Sequence, residues 1–399
     1  MTDIKIPEDV SKVIDALAQN GYEAYVVGGC VRDAMLGREP NDWDVTTSAK
    51  PEQTMEIFSH REGFHAIPTG IAHGTVTVVR EGAPIEVTTY RIDGEYSDSR
   101  HPDSVEFTSD IAADLSRRDF TVNAMAYSPT FGLVDVHGGA RDLEAGVIRC
   151  VGEPKKRFSE DALRIMRALR FASQLGFTID KDTGDAAREL APTLENIAKE
   201  RITAELSKLL VGKNAPSILR NHTDVLTSVL PMLEADSLVR AAERISRLEA
   251  VDLPTAIATL LADLSSDGVN GFFARLRFDN KTTKAAKEIL ANKNSQISDK
   301  TTVKCLCRDV GTDTARSVLL FKFVLGEDLR EALAWLDEII DGGECFCISQ
   351  LDIDGRELIA LGHEPKTLGH VLDTLLEAVI CEQINNDKNE LINAAKRLM

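Results

Sequence analysis

The chain is short of positive charge, of cysteine and of long apolar runs. Its 46 lysines and arginines face 64 acidic residues, a formal net charge of −18 over 399 residues. That balance excludes a protein that grips nucleic acid through a uniformly basic surface, because phosphate neutralisation normally dominates such affinity. Seven cysteines make no disulfide scaffold in a chain of this length, and an odd count argues for reduced thiols. Cys305-Leu306-Cys307 and Cys345-Phe346-Cys347 space their thiols more tightly than zinc knuckles do, so they read as structural cysteines. No apolar run approaches the roughly 18 residues needed to span a bilayer, and Met1-Thr2-Asp3-Ile4-Lys5 lacks the charged-then-apolar plan of a signal peptide. A cytoplasmic protein with no membrane partner is expected. Internal repeats and low-complexity tracts are also missing.

What positive charge there is gathers locally, at Arg117-Arg118, at Lys155-Lys156-Arg157 and along Arg164, Arg167 and Arg170. The length exceeds that of one typical domain, so several packed units are expected. The first part alternates strand and helix signals. Val26-Val27 reads as a strand, Val31 to Leu36 as a helix and Pro51 to Ser59 as a helix opened by proline. Gly74 to Val79 and Ile85 to Tyr90 read as a strand pair joined by the turn Glu81-Gly82-Ala83-Pro84. Asp93 to Ser104 is polar and aperiodic, and is expected to be a mobile loop near the site. From about Lys155 the pattern is helical throughout, with long segments at 160–175, 203–211, 238–248 and 368–384 and breaks near 212–216 and 292–299. The fold class is therefore α+β: a mixed sheet with helices, followed by an all-α region.

Asp42-Trp43-Asp44 places two carboxylates one residue apart. On an extended strand both point the same way and can reach one pair of divalent ions. The strand-to-helix turn at Gly28-Gly29 presents backbone amides to phosphate oxygens, with Arg32 on the helix that follows. Either feature alone is commonplace, as a tight turn or a solvated strand end. Their succession within one short stretch points to phosphoryl transfer on a nucleoside triphosphate.

Two further segments carry charge in a pattern. Arg117-Arg118-Asp119-Phe120-Thr121-Val122-Asn123-Ala124-Met125-Ala126-Tyr127 could be a generic helix start with an apolar core face. Glu160-Asp161-Ala162-Leu163-Arg164 reads as the front of a strong helix capped by Ser159. There, three-residue spacing puts Asp161 beside Arg164, with Arg167 next to both, and an intrahelical ion pair is the plain reading.

The stretch from Gly28 to Thr47, GGCVRDAMLGREPNDWDVTT, together with RRDFTVNAMAY, EDALRIMRALRFASQLGF and Glu200-Arg201-Ile202-Thr203-Ala204-Glu205, resembles the ordered motifs of the class II nucleotidyltransferases. These are the CCA-adding enzymes of transfer RNA and the bacterial poly(A) polymerases. The resemblance implies a polymerase-beta-like catalytic head at 1–149, a nucleobase-reading neck at 150–212, a helical body at 213–295 and a transfer-RNA-binding tail at 296–399. It also implies an elongated, seahorse-like whole that grips the acceptor and TΨC arms. On it, Asp42 and Asp44 hold Mg²⁺, with Glu86 as a supporting carboxylate. Gly28, Gly29, Arg32 and Arg118 hold the triphosphate, and Asp119 and Asn123 organise the sugar pocket. Asp161 and Arg164 read the base of CTP or ATP, helped by Arg167 and Arg170, while the arginine and glutamate of the Glu200 to Glu205 motif brace the reading helix. Pro68 to Val76 and Glu86 to Arg91 look like CCA-adding enzymes, and the basic tail of the poly(A) polymerases is missing. An enzyme that adds only the terminal A would look almost the same, and an inactive RNA-binding protein on this fold would be expected to have lost site residues that are present here. A monomer and a homodimer are equally compatible with the sequence.

Overall fold

A computed structural model describes residues 4–94 and 104–399. The interior of the polar segment expected to be a mobile loop, residues 95–103, lies outside the described residues. The chain forms two compact units, Met1–Ala235 and Asp236–Met399.

In chain order the strands are β1 (Ala24–Val27), β2 (Val45–Thr47), β3 (Phe64–Gly70), β4 (Thr75–Arg80), β5 (Ala83–Thr89), β6 (Arg91–Asp93), β7 (Val105–Phe107), β8 (Ala126–Ser128), β9 (Gly132–Val134), β10 (Val147–Ile148) and β11 (Thr178–Ile179). Seven of them make one mixed sheet in the order β3-β4-β5-β2-β1-β8-β9. β2 and β5 run parallel, with Val45 opposite Val87, and β1 is antiparallel to both β2 and β8. Every residue of β1 is buried, as its run of β-branched and aromatic side chains at the sheet centre requires. β4 and β5 meet in a turn tighter than the sequence suggested. Glu81 (φ 51°) and Gly82 (φ 87°) form it alone, and Ala83 and Pro84 already pair with Arg80 and Val79. Positive φ at both central residues gives the primed turn whose twist matches that of the strands.

The helices of the first unit that bear on the site are α1 (Glu8–Gln19), α2 (Gly29–Met35), α3 (Pro51–Ser59), α4 (Ile111–Ser116), α5 (Gly139–Ala145), α6 (Pro154–Glu160), α7 (Leu163–Leu175), α8 (Lys181–Leu190) and α9 (Lys199–Leu210). Two expectations need correction. The segment after Arg118 is no helix start: Thr121–Asn123 makes a single 3-10 turn, and the chain then enters β8 beside β1, with Val27 opposite Ala126. The segment 160–175 is not one helix. Asp161 is extended (φ −143°, ψ 104°) between α6 and α7, and its Oδ1 accepts from the amide of Leu163 at 3.0 Å. Ser159 caps nothing, its hydroxyl donating to the carbonyl of Lys155 inside α6. A short parallel pairing of β10 with β11 also interrupts the otherwise helical region.

Asp236–Met399 is helical, without strands among its described residues. Its apolar interior has two parts. Cys307 packs in one with Phe321 and Leu336, whereas Cys345 packs in the other with Leu375 and Ile380, and Cys305 lies against that second cluster. The Cys305 and Cys307 pair is thus divided between the two cores, and all seven cysteines are free thiols.

Candidate active site

The site is built where β1 ends. Gly28 has φ 81°, a conformation that a side chain makes costly, and a Cβ there would sit 3.2 Å from Arg118 Nη1. Its amide donates to the carbonyl of Met125 on the approach to β8 at 3.0 Å. The Gly28 amide is therefore spent within the sheet, and what Gly28 contributes is room for the Arg118 guanidinium. Four residues beyond Gly28, on α2, Arg32 is buried. It donates to both carboxylate oxygens of Asp33, at 2.9 and 2.8 Å, and to Asn123 Oδ1 at 2.6 Å.

Asp42 and Asp44 lie on the lead-in to β2 and are exposed. The lead-in is tied to the sheet, since the amide of Val27 donates to the Asp44 carbonyl at 3.0 Å. One residue upstream of the Val45–Val87 pair, Asp44 comes level with Glu86 on β5. The Asp44 carboxyl is pushed above the usual carboxylate range, first by loss of hydration, then by Glu86 and Asp42, with Arg118 opposing. Among the described residues no three acidic, histidine or cysteine side chains form a ready-made metal cage. The donor set is the Asp42 and Asp44 pair, two hard oxygen ligands facing a cleft that leaves the remaining positions to substrate phosphates. Such a pair fits Mg²⁺, which is commonly held by one or two carboxylates plus phosphate oxygens.

The basic wall comes from the turn after α4. Asp114 is fully buried and holds both arginines that follow, Arg117 at 2.8 Å and Arg118 at 3.2 Å. Burial alone would raise the Asp114 pKa, but Arg118 and Arg117 hold it below the ordinary value. Arg118 Nε is buried with no hydrogen-bond partner. Asp119 ties the head segment to α7: its Oδ2 takes Arg167 at 2.8 Å and its Oδ1 takes Asn123 Nδ2 at 3.2 Å.

The pair expected to read the base is arranged differently from the expected ion pair on one helix. Asp161 Oδ2 accepts from Arg201 of α9 at 2.9 Å, and Arg164 is held by Glu160 of α6 at 2.7 Å. Arg164 also donates to the carbonyl of Arg117 at 3.3 Å. Arg170 Nε lies 2.9 Å from Glu205 Oε2 of α9, without hydrogen-bond geometry. Arg201 and Glu205 of α9 thus lie against Asp161 and Arg170.

All these groups meet in one cleft of about 690 Å³, lined by each of Gly28, Gly29, Arg32, Asp42, Asp44, Arg118, Asp161, Arg164, Arg167 and Arg170. Glu86 is not on that wall. Sequence reasoning missed Asn41, Asp33, Phe171 and Gln174, which also line it; none carries a motif that marks it apart from its neighbours.

Residues 24–149 match the family model described as the poly A polymerase head domain, and residues 176–236 match a probable RNA and SrmB-binding site of polymerase A. The chain is 35% identical to the CCA-adding enzyme of Leuconostoc mesenteroides, over 97% of this chain and 96% of that one. It is also 35% identical to that of Geobacillus kaustophilus, over 96% and 95%. In structure it is similar to the Bacillus stearothermophilus CCA-adding enzyme in complex with CTP, at 31% identity and a TM-score of 0.75, covering 98% of this chain and 97% of that one. With the glycine corner, the carboxylate pair and the arginine wall in one cleft, and identity at this level along nearly its whole length, the chain belongs to the CCA-adding enzymes, a family of nucleotidyltransferases.

Proposed function

We propose that this protein adds CCA, without a nucleic-acid template, to the 3′ end of transfer RNA from CTP and ATP, and that the ten residues expected from the sequence are the ones that do it. The observation that carries the reading is their convergence: all ten line one cleft of a chain whose near-full-length relatives are CCA-adding enzymes. The 3′ hydroxyl of the RNA gives up its proton to solvent and its oxygen attacks the α-phosphorus of the triphosphate. A new P–O bond forms, the bond to the β-phosphate bridge breaks, and pyrophosphate leaves with the negative charge.

Asp42 and Asp44 hold Mg²⁺ in this reading. Held there, the ion would supply Lewis acidity, lowering the pKa of the attacking hydroxyl and offsetting charge on the triphosphate. Arg118, placed by Asp114 and admitted by Gly28, and Arg32, placed by Asp33 and Asn123, supply fixed positive charge for phosphate oxygens. The carboxylate of Asp161 and the guanidinium of Arg164 offer acceptors and donors to a base edge. Residues 1–149 act as catalytic head and 150–212 as reading neck, with 213–295 as body and 296–399 as tail. Among the described residues no helix is long and apolar enough to cross a membrane, and action on transfer RNA fits a cytoplasmic enzyme.

The test is purified protein with Mg²⁺, labelled CTP or ATP, and transfer RNAs ending before CCA, after C and after CC. Addition of C to the first two and of A to the third is expected. Incorporation of A alone, of an A tract, or of nothing overturns the reading.

A further inference from the structure

Three guanidiniums of the cleft converge on one aromatic ring. Arg170 lies 3.8 Å from the Phe171 ring centroid, Arg32 5.1 Å and Arg167 5.2 Å. Arg32 comes from α2 at the glycine corner, and the other two come from α7. Phe171 also meets Phe120 edge-on, with centroids 5.9 Å apart at 78°, and Phe120 directly follows the Asp119 that holds Arg167. The ring therefore stands where the triphosphate corner, the RRD segment and the reading helix meet.

Like charges this close repel, and Arg170 is held below its ordinary pKa by burial first, with Arg167 and Arg32 adding to that. Carboxylates offset part of the repulsion, through Asp33, Asp119 and Glu205. None of the three touches more than two of the arginines, whereas the ring meets them all. Its electron-rich face attracts guanidinium groups. Phe171 is only 7% exposed and its surroundings are taken by arginines, so it offers no platform for stacking a base.

We propose that Phe171 is a positioning residue for nucleoside triphosphate binding, setting the spacing of Arg32, Arg167 and Arg170 through the quadrupole of its ring rather than through bulk alone. The proposal rests on the functional reading above and deepens it. The ring has no part in bond making.

The full-length protein is prepared with mono-, di- and trifluorinated phenylalanine at position 171, a series that weakens the ring's negative face with little change of shape. CTP affinity is read by calorimetry, which needs no turnover, alongside transfer RNA affinity and thermal midpoint. CTP affinity should fall stepwise with each fluorine, about threefold to tenfold in all given the usual strength of such contacts, while transfer RNA affinity and thermal midpoint stay put. Phe171→Leu should lose at least as much as the trifluoro protein. A flat CTP series, a Leu variant that binds CTP normally, or an affinity loss that tracks the thermal midpoint overturns the proposal. Unsubstituted protein that binds CTP yet extends no transfer RNA would sink the functional reading, and the binding series would still decide the role of Phe171.

Discussion

Asp161 Oδ2 and Arg201 Nη2 are 2.9 Å apart, joining the extended link between α6 and α7 to α9, 40 residues downstream. The carboxylate that would face a base is thus aimed from another helix, α9. Asp161→Asn should relax discrimination among the four nucleoside triphosphates by about 1–3 kcal/mol, as loss of a bidentate base contact does. Arg201→Ala should relax it in the same direction but less, with transfer RNA affinity unchanged. Misincorporation ratios from competing triphosphates check both. Equal loss of rate for all four nucleotides would make the pair purely structural.

Asp42→Ala or Asp44→Ala should cut turnover by at least about 10³-fold, the scale on which a major electrostatic element of a site acts. Binding of transfer RNA should survive, since neither side chain supports the helical region. Single-turnover incorporation with a parallel RNA-binding assay separates the two, and substantial incorporation by either variant would sink the metal assignment.

Gly28→Ala tests the room made for Arg118. A methyl group at φ 81°, 3.2 Å from Nη1, brings backbone strain of about 1–3 kcal/mol and pushes the guanidinium aside. The KM for CTP should rise on the order of tenfold, the effect of about 1.4 kcal/mol, with a lower thermal midpoint. An unchanged KM would mean that Arg118 does not need this gap.

Asp114 gives the acid dependence of stability. Its folded pKa is depressed, so its contribution is present above the unfolded value, near about 3.9, and is lost as pH falls through the folded value. Asp114→Asn should cost about 3 kcal/mol at pH 7, the penalty for breaking a buried pair. The gap between variant and native protein should close below about pH 4. The chain has two tryptophans, so urea unfolding followed by Trp43 in a Trp335→Phe background reports on the unit that contains Asp114. A gap that persists at low pH would assign the cost to packing instead.

The glycine pair, the carboxylate pair and the arginine clusters were legible because their chemistry is local: residue type and short spacing suffice. α3 was legible to the residue, since Pro51 marks a first helical position. The break at Asp161 was not. Glu160 to Leu163 has ordinary helical propensity, and the pull on Asp161 comes from Arg201, which no local pattern reveals. β8 stayed hidden for a similar reason. Ala126-Tyr127-Ser128 is too short to alternate, and its strand character comes from β1 beside it. The spent amide of Gly28 likewise depends on Met125, far along the chain.

β1 separates β2 from β8, so the aspartates and the segment following Arg118 are held two strand spacings apart, about 10 Å. The sheet is in this sense a fixed gauge for whatever lies across it. A one-residue insertion or deletion inside β2 would turn the aspartates to the opposite face and leave the arginines facing an empty rim. Length changes in the turn between α2 and Asp42 leave that gauge untouched. Descent with altered loop length is open to this head, but its three central strands can change only by substitution.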